Sequence, residues 1–145
     1  KLKKKLPKYI VSFPIKKNEV SRAIMGNKNN IKKIIKIVHP EVRTAMKQFL
    51  KKNKKKKIVV LDIPLLLENK INKKSDILIF VEAKKKEINK KLKKRENYNS
   101  KIFYKLKKLQ LPLEIKKKKS DFIIKNNFKN NYVKKNVKNI LKKIL

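Results

Sequence analysis

Cysteine and tryptophan are absent from the 145 residues, and glycine and histidine occur once each, as Gly26 and His39. Without cysteine there is no disulfide framework, no thiolate metal site and no cysteine nucleophile, a composition that suits a reducing cytoplasm. One histidine excludes a histidine-based metal cluster. One glycine excludes a G-x-x-x-x-G-K-[ST] phosphate loop anywhere in the chain. No apolar run approaches the roughly eighteen residues of a membrane span, and the opening KLKKKLPKYIVSF has a charged start without the apolar core of a signal peptide. Acidic residues are also scarce: 10 Asp and Glu stand against 46 Lys and Arg, a formal net charge of +36.

Such a charge ordinarily points to a polyanion partner. Here the basic residues are almost all Lys and fall on every segment instead of forming one stripe or tail. Lys, Ile and Asn are the residues with the most A- and T-rich codons, so base-composition skew accounts for the enrichment without a ligand. A nucleic-acid reader would show Arg for bidentate base contacts and interleaved aromatics for stacking, whereas the six Phe and four Tyr are scattered. A lysine-rich nucleic-acid-binding module is therefore the alternative reading, and non-specific affinity for RNA or DNA at low salt is expected in either case.

Length predicts one domain, and periodicity organises it. Ile31, Ile34, Ile35 and Val38 form one apolar helix stripe, and Val42, Ala45, Met46 and Phe49 repeat the spacing. Pro40 suits the first turn of a helix, so the sequence predicts a helix boundary at His39–Pro40. Val20, Ala23 and Ile24 predict a shorter helix stopping near Gly26. The continuously apolar, β-branched run IVVLDI at 58–63 predicts a strand buried on both faces. SDILIFVEA at 75–83 and SDFIIKN at 120–126 have the same character. Between and after them lie helical patterns carried by Ile88 and Leu92, by Ile102, Leu106 and Leu109, and by Val133, Val137, Ile140, Leu141 and Ile144 over 132–145. Alternating strands and helices predict an α/β fold with a parallel sheet, whose ligands bind beyond the carboxyl ends of the strands.

The segment DIPLLLEN, 62–69, follows the first of those strands. An Asp at the end of a buried strand is costly unless it is paired or faces a ligand, and Pro64 turns the chain outward. Taken alone, these residues are explained more simply by a strand-terminating turn with Asp62 satisfied by backbone amides.

Read in order, VHPEVR, VVLDIPLLLEN, SDILIFVEA and QLPLEIKKKKSDFIIKNN resemble the ordered motifs of dephospho-CoA kinases over roughly residues 14–127. The resemblance implies a three-layer, parallel-sheet P-loop kinase fold. It also implies transfer of the ATP γ-phosphate, with Mg²⁺, to the 3′-hydroxyl of the dephospho-CoA ribose, the last step of coenzyme A biosynthesis. Residues 1–57 would be a helical substrate-binding portion and 58–145 the remainder of the nucleotide-kinase core, with a lid-like helical segment near 84–110. By resemblance, His39, Asp62, Pro64, Leu65, Leu66 and Glu68 lie on the substrate side, although His39 could equally cap a helix and the leucines shape a pocket more than they do chemistry. Arg95, Gln110, Lys116 and Asn126 lie on the ATP and lid side, with Arg95 facing phosphates and Asn126 near the adenine.

Two departures from the family pattern stand out. Lys116 replaces an Arg, which keeps the charge and loses the planar fork that grips phosphate with two hydrogen bonds. The glycine-rich loop on the first strand, and the acidic general base that accompanies it, have no counterpart, so no catalytic residue is assigned. The expectation is a fold lacking its first strand, no turnover by this polypeptide alone, and exposed strand edges that favour aggregation.

Overall fold

A computed structural model describes residues 1–96 and 98–145. The chain divides into two units, Lys1–Asp62 and Ile63–Leu145.

The first unit is helical: α1 (Leu2–Lys5), α2 (Lys17–Gly26) and α3 (Lys28–Lys52). Its core is small, with Leu6, Ile10 and Ala23 buried and Leu2, Tyr9, Val20 and Ile34 packed around them. The predicted stop at Gly26 holds, and the phenol ring of Tyr9 lies where a side chain at that position would sit. Asn27 caps α3 by accepting the Asn29 amide at 2.8 Å. The buried Asn30 side chain donates at 2.8 Å to the carbonyl of Ala23, one of the last-turn carbonyls of α2 that has no partner within its own helix.

The loop before α2 is organised by Glu19, which is 2% exposed. Its carboxylate accepts the amides of Val11, Ser12 and Lys16 at 3.0, 3.0 and 3.1 Å and the Ser12 hydroxyl at 2.5 Å. The Ser12 hydroxyl foremost, and the three amides with it, outweigh the opposing effect of burial and hold Glu19 down to about 2. Four donors converging on one carboxylate stabilise its charged form.

Two expectations are corrected in this unit. No helix boundary falls at Pro40, because α3 runs unbroken from Lys28 to Lys52 with Pro40 inside it. The missing N–H frees the carbonyl of Lys36, four residues back. Lys36 and Pro40 are both exposed, so water can take that carbonyl, and the helix continues. Nor is 58–63 a strand buried on both faces. It carries no ladder among the described residues; Ile58, Val60 and Asp62 are exposed while Val59, Leu61 and Ile63 are half-buried. That period-two alternation is the facing of an extended chain, but a strand also needs a hydrogen-bonding neighbour.

The second unit is built on a parallel pair, β1 (Ile79–Glu82) and β2 (Phe122–Lys125), in the register Ile79 opposite Phe122 through Glu82 opposite Lys125. The Ser-Asp before β2 starts the ladder, since Asp121 Oδ2 accepts the Leu78 amide at 2.7 Å and the Asp121 amide donates to the Leu78 carbonyl at 2.8 Å. Between the strands run α4 (Lys85–Lys93), α5 (Ser100–Lys107) and α6 (Leu113–Lys118), and α7 (Asn130–Ile144) follows, lying against β2 with Ile140 buried. Two of the three predicted strands, and the helices expected between and after them, are thus present in a parallel α/β arrangement, although both-face burial is not, since Ile79, Val81 and Ile123 are exposed. The short helices α1 and α6 were not foreseen.

Candidate functional site

In a parallel sheet the carboxyl ends of the strands face the ligand, and here those ends are Glu82 and Lys125. The ladder extends one step further, with the Asn126 amide donating to the Glu82 carbonyl at 2.7 Å. Glu82 Oε1 accepts from Lys117 Nζ on α6 at 2.7 Å. This bond chiefly holds the Glu82 carboxyl below its usual range and, reciprocally, raises the Lys117 ammonium.

Past β2 the chain turns sharply into α7. Asn126 Oδ1 accepts the amide of Phe128, which sits at φ 60°, and Asn127 Oδ1 accepts the amide of Lys129. The Lys91 ammonium of α4 lies 5.4 Å from the centre of the Phe128 ring, a cation–π distance. The same turn and the start of α7 border an open depression of about 740 Å³, lined by Phe128, Tyr132, Lys129 and Lys135 among others. It presents two rings and two ammonium groups. Asn126 is one residue away, its side chain engaged in the turn.

The segment after Asp62 is a single helical turn. The Ile71 amide returns to the Leu66 carbonyl and the Lys70 amide to the Leu67 carbonyl, with Lys70 at φ 50°. This is the Schellman pattern of a helix end, here with Lys at the position glycine usually holds. The turn aims Glu68 inward. Glu68 Oε1 accepts from Lys116 Nζ at 2.6 Å and from the Leu111 amide at 2.8 Å. Burial pushes the Glu68 carboxyl up, but the bonds from Lys116 and Leu111 prevail and hold it below its usual range.

Of the residues singled out from the sequence, Glu68 and Lys116 are therefore brought together, and Gln110 is exposed immediately before Leu111. Leu65 and Leu66 are half-buried in the turn and Pro64 is exposed. Arg95 is exposed just beyond α4, His39 is half-buried on α3, and Asp62 is exposed at the end of the first unit. Among the described residues, no side-chain hydrogen bond or ion pair joins His39, Asp62, Arg95 or Gln110 to another of these positions. Sequence reasoning passed over Glu82, Lys117, Lys91, Phe128 and Tyr132. The carboxyl-end rule alone could have marked Glu82, the last residue of its strand.

The profile of the dephospho-CoA kinase family matches residues 14–131. The chain belongs to the dephospho-CoA kinase family. It is 33% identical to the dephospho-CoA kinase of Wolbachia pipientis over 95% of this chain and 71% of the relative. It is 32% identical to that of Bartonella quintana over 81% of this chain and 62% of the relative, and 32% identical to that of Fusobacterium nucleatum over 78% and 58%. It thus spans between 58 and 71% of the length of these relatives. A crystal structure of a Thermus thermophilus protein shares the fold, with a TM-score of 0.72 at 22% identity over 99% of this chain and 75% of that one. Membership of a kinase family leaves the nucleic-acid-module alternative without support among these similarities. No helix among the described residues is long and apolar enough to cross a membrane.

Proposed function

We propose that this chain carries the acceptor-side and lid portions of a dephospho-CoA kinase, a cytoplasmic enzyme moving the ATP γ-phosphate to the 3′-hydroxyl of dephospho-CoA. The observation supporting this most directly is the parallel β1–β2 pair, which carries two of the family's ordered segments and gathers polar groups at its carboxyl ends. On this reading the sheet is that of a three-layer P-loop kinase without its first strand. The helical part, 1–57, contributes His39 to acceptor binding, and Asp62, Pro64, Leu65 and Leu66 form the acceptor edge of the core. Arg95, in the lid-like stretch 84–110, and Gln110 serve ATP. The depression beginning next to Asn126 takes the adenine, with Phe128 and Tyr132 as its flat surfaces.

In the reaction the ribose 3′-oxygen attacks the γ-phosphorus, the bond from that phosphorus to the β–γ bridging oxygen breaks, ADP leaves, and the hydroxyl proton passes to a base. Such transfer is largely positioning and charge stabilisation. Mg²⁺ enters with ATP as part of the substrate. Among the described residues no group of three carboxylate or imidazole side chains converges, so no protein ligand for it is named. Neither the base nor a glycine-rich phosphate loop can be assigned to residues of this chain.

Amide hydrogen exchange tests the assignment. Dephospho-CoA should protect 39–43 and 62–68, ATP should protect 126–132, and the purified 1–145 chain should show no turnover. Ligands that protect none of these segments would remove the basis for the reading.

A further inference from the structure

Glu68 and Lys116 carry opposite charges, and the side chains are only 10% and 16% exposed. By resemblance, Glu68 would address the acceptor and Lys116 the ATP phosphates. The structure directs each at the other instead. We propose that they form a positioning pair: Lys116 serves the nucleotide site by fixing the 63–71 turn through Glu68, not by contacting phosphate. This deepens the function proposed above and rests on it for the site served, while the clamp itself rests on geometry.

Three observations carry the inference. First, Glu68 Oε1 is held at two points, by Lys116 Nζ at 2.6 Å and by the Leu111 amide at 2.8 Å, so one oxygen ties the turn to the segment leading into α6. Second, a phosphate approaching the Lys116 ammonium would meet a nearly buried carboxylate whose negative charge already neutralises it; little screening by water is available to relieve that repulsion. Third, Glu68 Oε2 is buried without a hydrogen-bond partner. A lysine ammonium on Oε1 leaves the second oxygen unserved, whereas a guanidinium fork supplies two parallel N–H donors to a carboxylate. The unfilled Oε2 is therefore what Lys in place of Arg would leave behind.

The test is amide exchange, followed by NMR, on the 1–145 chain with Lys116→Met, Glu68→Gln, the double variant and Lys116→Arg. Breaking the pair should speed exchange of the Leu111 amide and of the 66–71 turn amides by about tenfold or more, because removing one partner of a buried pair is strongly destabilising. The double variant should add little beyond the larger single effect, and Lys116→Arg should match or slow the parent rates by occupying Oε2. Unchanged exchange in Lys116→Met, or exchange in Lys116→Arg about tenfold or more faster than in the parent, overturns the clamp. Lys116→Arg keeps the test decisive if the other variants do not fold. ATP titrations separate the roles: Glu68→Gln and Lys116→Met should weaken binding by similar factors. Weakening by Lys116→Met alone would instead make Lys116 a phosphate ligand and overturn the proposal. If the parent chain binds no ATP, the proposed function fails at that point, and the exchange data decide the clamp separately.

Discussion

Pro40 offers a direct test of the helix that sequence reasoning divided. If α3 is continuous from Lys28 to Lys52, Pro40→Ala restores an N–H to the freed Lys36 carbonyl and removes the ring from the turn before it. In a helix interior Pro is about 3 kcal/mol less favourable than Ala. Against this, Ala restores backbone freedom to the unfolded chain, worth roughly 0.4–1 kcal/mol. Pro40 is exposed, so little packing is lost, and the net expectation is a gain of about 2 kcal/mol.

The assay is urea unfolding followed by far-UV circular dichroism, with the midpoint and slope compared between parent and variant. The midpoint should rise and the slope stay unchanged, because the surface exposed on unfolding is nearly the same. The opposite geometry predicts something different. At the first position of a helix Pro costs nothing and is preferred, so Pro40→Ala would be neutral or destabilising there. A midpoint that falls or does not move would refute a continuous α3 and restore the boundary at His39–Pro40.

The Glu19 carboxyl, held at about 2 when folded against an ordinary 4.5, should make stability pH-dependent. Its folded value lies below its unfolded one, so the contribution is complete above about 4.5 and is lost as pH falls toward 2; Glu19→Gln should flatten that part of the urea-midpoint profile, and an equally steep profile would refute the assignment. A methyl group at residue 26 would overlap the Tyr9 ring and its hydroxyl, so Gly26→Ala should destabilise by about 1–3 kcal/mol. On a Tyr9→Ala background the same change should become neutral or favourable, and an equal cost on both backgrounds would show that the ring is not the obstacle. With a net charge of +36, salt should raise the unfolding midpoint, since screening relieves self-repulsion. A midpoint that drops with NaCl would mean that exposed pairs such as Lys1–Glu41 matter more than the repulsion.

Local signals recovered much of the secondary structure and left the pairings hidden. The β-branched runs after Ser-Asp gave β1 and β2, and the lone glycine gave the end of α2. Pro40 misled because its preference for a first turn and its cost in an interior leave the same letter in the sequence; only continuation of the hydrogen bonds decides between them. The 58–63 run was legible as extended chain, but a ladder requires a neighbour, which its own residues cannot specify. The helices α1 and α6 are too short and lysine-rich to display a period. The motif order identified the family, whereas the bond between Glu68 and Lys116 joins distant segments, and each residue alone resembles a ligand contact.

Scarcity gives the acidic residues their structural meaning. Among the described residues, six of the 10 acids accept a specific bond: Glu19 gathers its own loop, Glu41 takes Lys1, and Glu68 takes Lys116 and Leu111. Asp76 caps the Lys73 amide, Glu82 takes Lys117, and Asp121 takes the Leu78 amide. Three of the six bind backbone amides beyond their own turn or across the parallel pair, where a lysine has no acceptor to offer. A surface position gives up little when its side chain becomes Lys, because an exposed charge stays hydrated and the aliphatic stem still covers apolar surface. A carboxylate receiving main-chain donors has no such substitute, since its loss strands those donors. Lysine enrichment can therefore spread over the outer faces of every helix without altering the bonds that place β1 beside β2 and the 63–71 turn beside Leu111.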